Sequence, residues 1–116
     1  MSGSYRDLIV WQRAIQTSIA IYKLTTQFPK EEIYGLTSQL RRAGVSTASN
    51  IAEGFGRMST GEYVHFLGIA RGSNFEVQTQ LVIARELGFG NKEKLDHAEN
   101  LSQEVGRMLV SMLKKN

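Results

Sequence analysis

The sequence contains no cysteine. Disulfide bridges, thiolate metal sites and thiol nucleophiles are therefore excluded, and the absence suits a reducing cytoplasm. A single proline, Pro29, occurs in 116 residues. With few breakers and many helix formers, long helices are expected. Long apolar runs are missing too: the uncharged stretch from Ala43 to Ala52 is half of the roughly 20 residues that cross a bilayer. The opening Met1-Ser2-Gly3-Ser4-Tyr5-Arg6-Asp7 lacks the apolar core of a signal peptide. The expectation is a cytoplasmic protein with no membrane partner. No block of like charge forms a tail either. Fourteen basic and eleven acidic residues are mixed along the chain and sum to +3. That balance permits contact with nucleic acid without requiring it.

What is present is four amphipathic segments, enough for one domain. The first spans residues 6–27, with Leu8, Trp11, Ile15, Ile19 and Tyr22 at helical spacing as its core face. Phe28-Pro29 ends it. The second spans 31–53, with Ile33, Leu36, Leu40, Ala43, Thr47 and Ile51 as its stripe, and closes at Gly54-Phe55-Gly56 with a left-handed glycine cap. The third spans 59–87. Ser59 and Glu62 have the capping-box spacing, and Tyr63, Phe66, Leu67, Ala70, Val77, Leu81 and Ala84 face the core. Gly88-Phe89-Gly90 closes it. The fourth spans 91–114, capped by Asn91 and carrying Leu95, Ala98, Leu101, Val105, Leu109 and Met112. Short connections between four such helices predict an all-α, antiparallel up-down-up-down four-helix bundle.

Two further patterns lie beside these stripes. Gln39, Arg42, Ser46, Asn50 and Glu53 share one face of the second helix, and Ser73, Glu76 and Gln80 form a matching set on the third. They are expected to form a structural polar network, with Arg42 paired to Glu53 or Glu76. The rival reading is a polar pocket for a small molecule or metal. Val45, Ala48 and Ala52 on the second helix, and Val64, Gly68, Phe75 and Val82 on the third, sit away from the core stripes. Apolar residues there predict burial by a second copy of the chain.

Catalytic motifs fail when tested. Glu62-Tyr63-Val64-His65 is one Glu-x-x-His, whereas a di-iron bundle needs two, and Lys94 takes the glutamate's place before His97. Gly56 to Gly61 has the first spacing of a phosphate loop, but Glu62 and Tyr63 replace its lysine and hydroxyl, and no strand precedes it. No serine sits in a nucleophile elbow. Met58, Met108 and Met112 read as packing and Trp11 as an anchor. Neither enzyme activity, a metal nor a cofactor is expected. Arg6, Arg13, Arg41, Arg57, Arg71, Arg107, Lys114 and Lys115 remain as candidate phosphate contacts, with Arg6 and Arg13 on one face of the first helix.

One ordered series of residues is distinctive. It runs Leu8-Ile9-Val10-Trp11-Gln12; then Phe28-Pro29, Glu32, and Tyr34-Gly35-Leu36-Thr37-Ser38-Gln39-Leu40-Arg41-Arg42-Ala43; then Ser49-Asn50-Ile51-Ala52-Glu53-Gly54. Phe66-Leu67, Ile69-Ala70-Arg71-Gly72-Ser73, Glu76, Gln80-Leu81 and Leu87-Gly88 continue it. In order and content it resembles the four-helix-bundle proteins named for the intervening sequences of bacterial 23S rRNA genes. The resemblance implies a bacterial protein and a ring-shaped oligomer, a pentamer. It extends to the accessory proteins of diversity-generating retroelements, which are similar bundles that bind nucleic acid and a reverse transcriptase. The expected function is thus a non-enzymatic homo-oligomer that binds RNA or DNA. The alternative is a scaffold that docks another protein and has no nucleic-acid role.

Overall fold

Short polar side chains set two of the helix starts. Ser59 Oγ accepts from the Glu62 N–H at 3.2 Å, and Asn91 Oδ1 accepts from the Lys94 N–H at 3.1 Å. Each satisfies a backbone donor that has no partner within its helix. In the computed structural model, which describes residues 3–115, the helices are α1 (Ile9–Thr25), α2 (Leu36–Phe55), α3 (Thr60–Glu86) and α4 (Lys92–Lys114). The Glu62 carboxylate accepts the Ser59 hydroxyl at 3.2 Å, instead of reaching the Ser59 N–H as a full capping box does.

The two other starts lie later than the periodicity predicts. Pro29 opens a single 3-10 turn over Lys30–Glu32, and α2 begins only at Leu36, whose N–H donates to Glu32 Oε1 at 3.0 Å. Ile33 consequently leaves the predicted core stripe and is 51% exposed. Ser4 caps a 3-10 turn over Tyr5–Asp7, so Arg6 precedes α1 instead of lying on it. At the far end of α3, Gly88 and Gly90 take φ of 75° and 82°, which side chains resist. The Gly54-Phe55-Gly56 segment contains no left-handed residue. Gly54 lies inside α2, where a Cβ would sit 3.2 Å from Phe66 Cβ and 3.4 Å from the Tyr63 carbonyl oxygen. Its role is close approach of α2 to α3.

Each helix packs on the next and α4 returns to α1, while the backbones of the diagonal pairs α1–α3 and α2–α4 stay apart across the core. Short connections make neighbours antiparallel. The result is an up-down-up-down four-helix bundle of 44 × 23 × 22 Å. Two buried clusters fill it. Ile21, Leu24, Leu40, Val77, Leu81 and Ala98 mark one, and Ala14, Ile51, Leu67, Ala70, Val105 and Leu109 the other. Each fully buried large side chain contributes about 1.5–3 kcal/mol.

The stripes expected on α3 and α4, and that of α2 from Leu36 onward, face this core. That of α1 does not. Ile19 is 50% and Tyr22 45% exposed, while Leu8, Trp11 and Ile15 are half-buried at the core's margin. The buried side of α1 is instead Val10, Ala14, Thr17, Ser18, Ile21 and Leu24. The physical reason is size. Small residues let α1 lie against α2: a Cβ on Gly44 would fall 3.0 Å from Ile21 Cδ1 and 3.5 Å from the Ser18 Cα. The bulky stripe is thereby turned outward. Ala48, expected on an outer face, is buried in the core. Met58, expected to pack, is fully exposed.

At mid-bundle a buried polar pair joins α3 to α4. Asn74 Nδ2 donates to the Ser102 carbonyl at 2.9 Å, and the Ser102 hydroxyl donates to Asn74 Oδ1 at 3.0 Å. Replacing Ser102 by Ala strands that buried amide oxygen. Urea unfolding is expected to show a loss of about 1–3 kcal/mol; unchanged stability would refute the pair's structural role. Nearer the Gly88–Gly90 turn, Arg85 donates to Asp96 at 2.8 Å and Lys92 donates to the same carboxylate at 3.3 Å. The hydrogen bond from Arg85, then that from Lys92, holds the Asp96 carboxyl below its ordinary value of 3.8. A depressed folded-state value means stabilisation that is present above the ordinary value and lost as pH falls through the folded one. The stability difference between the native chain and Asp96→Asn is therefore expected at neutral pH and should close on acidification below 3.8. A difference that does not vary with pH would contradict this.

Candidate nucleic-acid interface

The eight basic candidates do not form one surface. Arg13 Nε donates to Glu104 Oε2 on α4 at 3.1 Å, so it is engaged and does not share a face with Arg6. Arg6 lies 5.9 Å from the Tyr5 ring on the 3-10 turn. Arg57 is ion-paired with Glu53 and stands 4.4 Å over the Phe66 ring. Arg41 donates to Thr25 Oγ1 at 2.9 Å and covers the Tyr22 ring at 4.6 Å.

Three of the remaining cations come together. The edge of α3 that flanks the core toward α4 carries Arg71, Phe75, Gln78 and Val82, at steps of 4, 3 and 4. The facing edge of α4 carries Gln103, Gly106, Arg107 and Val110. Between them runs a groove of about 380 Å³, lined by Arg71, Phe75, Gln78, Gln103, Arg107 and Val110, with Asn74 and Gly106 also bordering it. A further hollow of about 230 Å³ continues it past Arg71 and Val110 to Leu113 and Lys114. Among the described residues, Arg71, Arg107 and Lys114 form no ion pair. Lys115 follows Lys114 at the same end of α4. Arg71 stands 5.0 Å from the centroid of the Phe75 ring, a cation–π arrangement. Phe75 is nonetheless 49% exposed.

The groove exists because of what α4 lacks. Gly106 leaves open the space where a Cβ would meet Asn74 Nδ2 at 3.3 Å and Gln78 Nε2 at 3.4 Å. Beneath it the Asn74–Ser102 pair is fully satisfied, and Gln78 Nε2 donates to the same Ser102 carbonyl at 3.4 Å. The walls are apolar and the rims cationic.

Part of the polar stripe of α2 and α3 is hydrogen-bonded. Ser46 and Ser73 hydroxyls lie 2.9 Å apart, Asn50 Nδ2 donates to the Ser46 carbonyl at 2.9 Å, and Gln80 Nε2 donates to Gln39 Oε1 at 3.4 Å. The expected pairing of Arg42 does not form. Glu53 goes to Arg57, and although Arg42 and Glu76 border one recess of about 340 Å³, no ion pair joins them. Among the described residues no group of three histidine or carboxylate side chains is placed to hold a metal, and His65 is exposed.

The apolar positions read as an oligomer interface fall on opposite faces. Val45 joins Tyr22 and Ile33 around a hollow of about 420 Å³ on the α1–α2 side, where Ala52 is half-buried. Val64, Phe75 and Val82 belong to the α4 edge of α3. Sequence reasoning missed Gln78, Gln103 and Val110. The available signals were Gly106 inside a helix and Asn74 at core spacing between Ala70 and Val77.

The fold is similar to the crystal structure of a protein with unknown function from the S23 ribosomal protein family of Bacteroides thetaiotaomicron VPI-5482. The TM-score is 0.82 at 22% identity, over 91% of this chain and 99% of that one. No curated protein matches the sequence. The model of the 23S rRNA-intervening sequence protein family matches residues 6–111, nearly the whole bundle, and the chain belongs to that family.

Proposed function

We propose that this chain acts by binding rather than catalysis, as a cytoplasmic homo-oligomer that holds RNA along the α3–α4 groove. The observation that carries the reading is the convergence of Arg71, Arg107 and Lys114, none of them ion-paired, on a groove with an aromatic wall. Arg6, Arg13, Arg41, Arg57 and Arg85 are engaged by carboxylates, a hydroxyl or rings, whereas Arg42 forms no ion pair and lies apart from this groove. Cations with no internal carboxylate partner neutralise phosphates and release counterions, so affinity depends steeply on salt.

Self-association is the second half of the proposal. Tyr22 of α1, Ile33 after the 3-10 turn and Val45 of α2 border one hollow and are each about half exposed, which supports burial of this side by a second copy. In a ring, each copy contributes two different patches. The α1–α2 face serves as one of them, in the pentamer that the family resemblance implies.

RNA binding is measured by fluorescence anisotropy across a salt series. Arg71→Ala combined with Arg107→Ala should weaken binding and reduce the slope of log affinity against log salt by about 1.4–1.8, at roughly 0.7–0.9 per lost phosphate contact. Arg13→Ala, which breaks only the pair with Glu104, should leave both unchanged. Equal slopes for the native and doubly substituted chains would sink the groove assignment. For self-association, Val45→Glu should reduce native mass from a multiple of 13.0 kDa to the single chain, because a buried unpaired charge is costly. An intact oligomer would leave the α1–α2 face for a different protein, which is the scaffold reading.

A further inference from the structure

We propose that the α3–α4 groove takes an unpaired nucleotide, so that the protein selects single-stranded or looped RNA over a duplex. The inference rests on the binding function just proposed and goes beyond it by naming the class of ligand.

Three features argue for an inserted base rather than a phosphate track alone. The first is shape. A closed duplex meets a protein with its backbone and shallow minor groove, and needs no recess. Here the cations border a hollow of about 380 Å³, at the small end of ligand clefts, which run roughly 300–1,000 Å³. Such a space suits one planar heterocycle. The second is the wall. Phe75 is 49% exposed with Arg71 on its ring, which leaves aromatic surface for stacking. Aromatic rings beside cations are the general means of holding unpaired bases. Val110 closes the opposite side.

The third is the placement of amides. Gln78 lines the groove and spends one N–H on the Ser102 carbonyl, which leaves its amide a further donor and an acceptor. Gln103, exposed on the facing edge of α4, brings both a donor and an acceptor. A base edge carries the complementary groups. Arg71 and Arg107 flank the recess from the two helices, where the phosphates on either side of an inserted base would run, and Lys114 extends the path. The acidic side chains of α4 near the groove, Asp96 and Glu99, lie toward its other end and are both engaged by Arg85. Charge therefore favours a polyanion at one end of the groove without opposing it at the other.

The test compares a short labelled RNA strand with the blunt duplex of the same length, using the full-length protein. The native chain should bind the single strand at least tenfold more tightly. Phe75→Ala should lower single-strand affinity about 5- to 100-fold, the range for losing one stacked base. It should leave duplex affinity and the salt slope nearly unchanged, while Phe75→Tyr should restore the preference. A strand carrying 2-aminopurine should show fluorescence that changes on binding to the native chain and not to Phe75→Ala. Because Phe75 is exposed, its loss does not threaten the fold, and circular dichroism checks this. Equal affinity for strand and duplex, with a salt slope that still falls on removing Arg71 and Arg107, overturns the inserted base and keeps the binding function. An equal loss for both ligands in Phe75→Ala overturns it as well. Failure to bind either RNA overturns the function and this inference with it. An oligomer broken by Phe75→Lys with RNA binding intact would assign the groove to a second copy of the chain, and also overturns it.

Discussion

The buried pair of Asn74 and Ser102 fixes the register of α3 against α4, and most of what is functional in this protein follows from that register. Two hydrogen bonds within a low-dielectric interior are costly to break singly and gain nothing from a slipped alignment. With these two residues facing each other, Gly106 falls opposite Asn74 and Gln78, and the missing side chain becomes a groove instead of a packing fault. One turn away from the pair, Arg71 and Arg107 are brought to the rims. A different register would scatter the same residues over two unrelated surfaces.

The bundle divides its cations between internal ion pairs and open surface. On the α1–α4 side, Arg13 is neutralised by Glu104, and at one end of the bundle Arg85 and Lys92 are held by Asp96 and Glu99. These partly exposed pairs contribute little stability individually. Their consequence is electrostatic: Arg13, Arg85 and Lys92 are taken out of the set of cations open to a polyanion. The α1–α2 side displays Tyr22, Ile33 and Val45 beside Arg41 and Arg42, and it lies across the molecule from the α3–α4 groove. The proposed self-association through one and the proposed ligand binding through the other therefore do not compete for area.

The sequence made the helices and most of the core legible because the stripes of α3 and α4, and that of α2 from Leu36, repeat at helical spacing without interruption. It failed on α1 for a definite reason. Large hydrophobic residues dominate a periodicity reading, yet Ala14, Thr17 and Ser18 occupy the core side because close helix approach at Gly44 demands small side chains. The bulky stripe with Ile19 and Tyr22 is a surface. The same bias hid the groove: Asn74 stands at core spacing and Gly106 interrupts a helix, both visible in the sequence, but their partners Ser102 and Gln78 are recognisable only once two helices are aligned. The candidate cations show a different limit. Residue type identifies cations, whereas only tertiary contacts show which of them are already satisfied.

RNA is proposed to lie in the α3–α4 groove. Ultraviolet cross-linking of the bound complex, followed by mass spectrometry of the cross-linked peptides, tests it most directly. Nucleotide adducts are expected on the peptides around Phe75 and between Gln103 and Lys114. Adducts confined to α1 and α2 would contradict it.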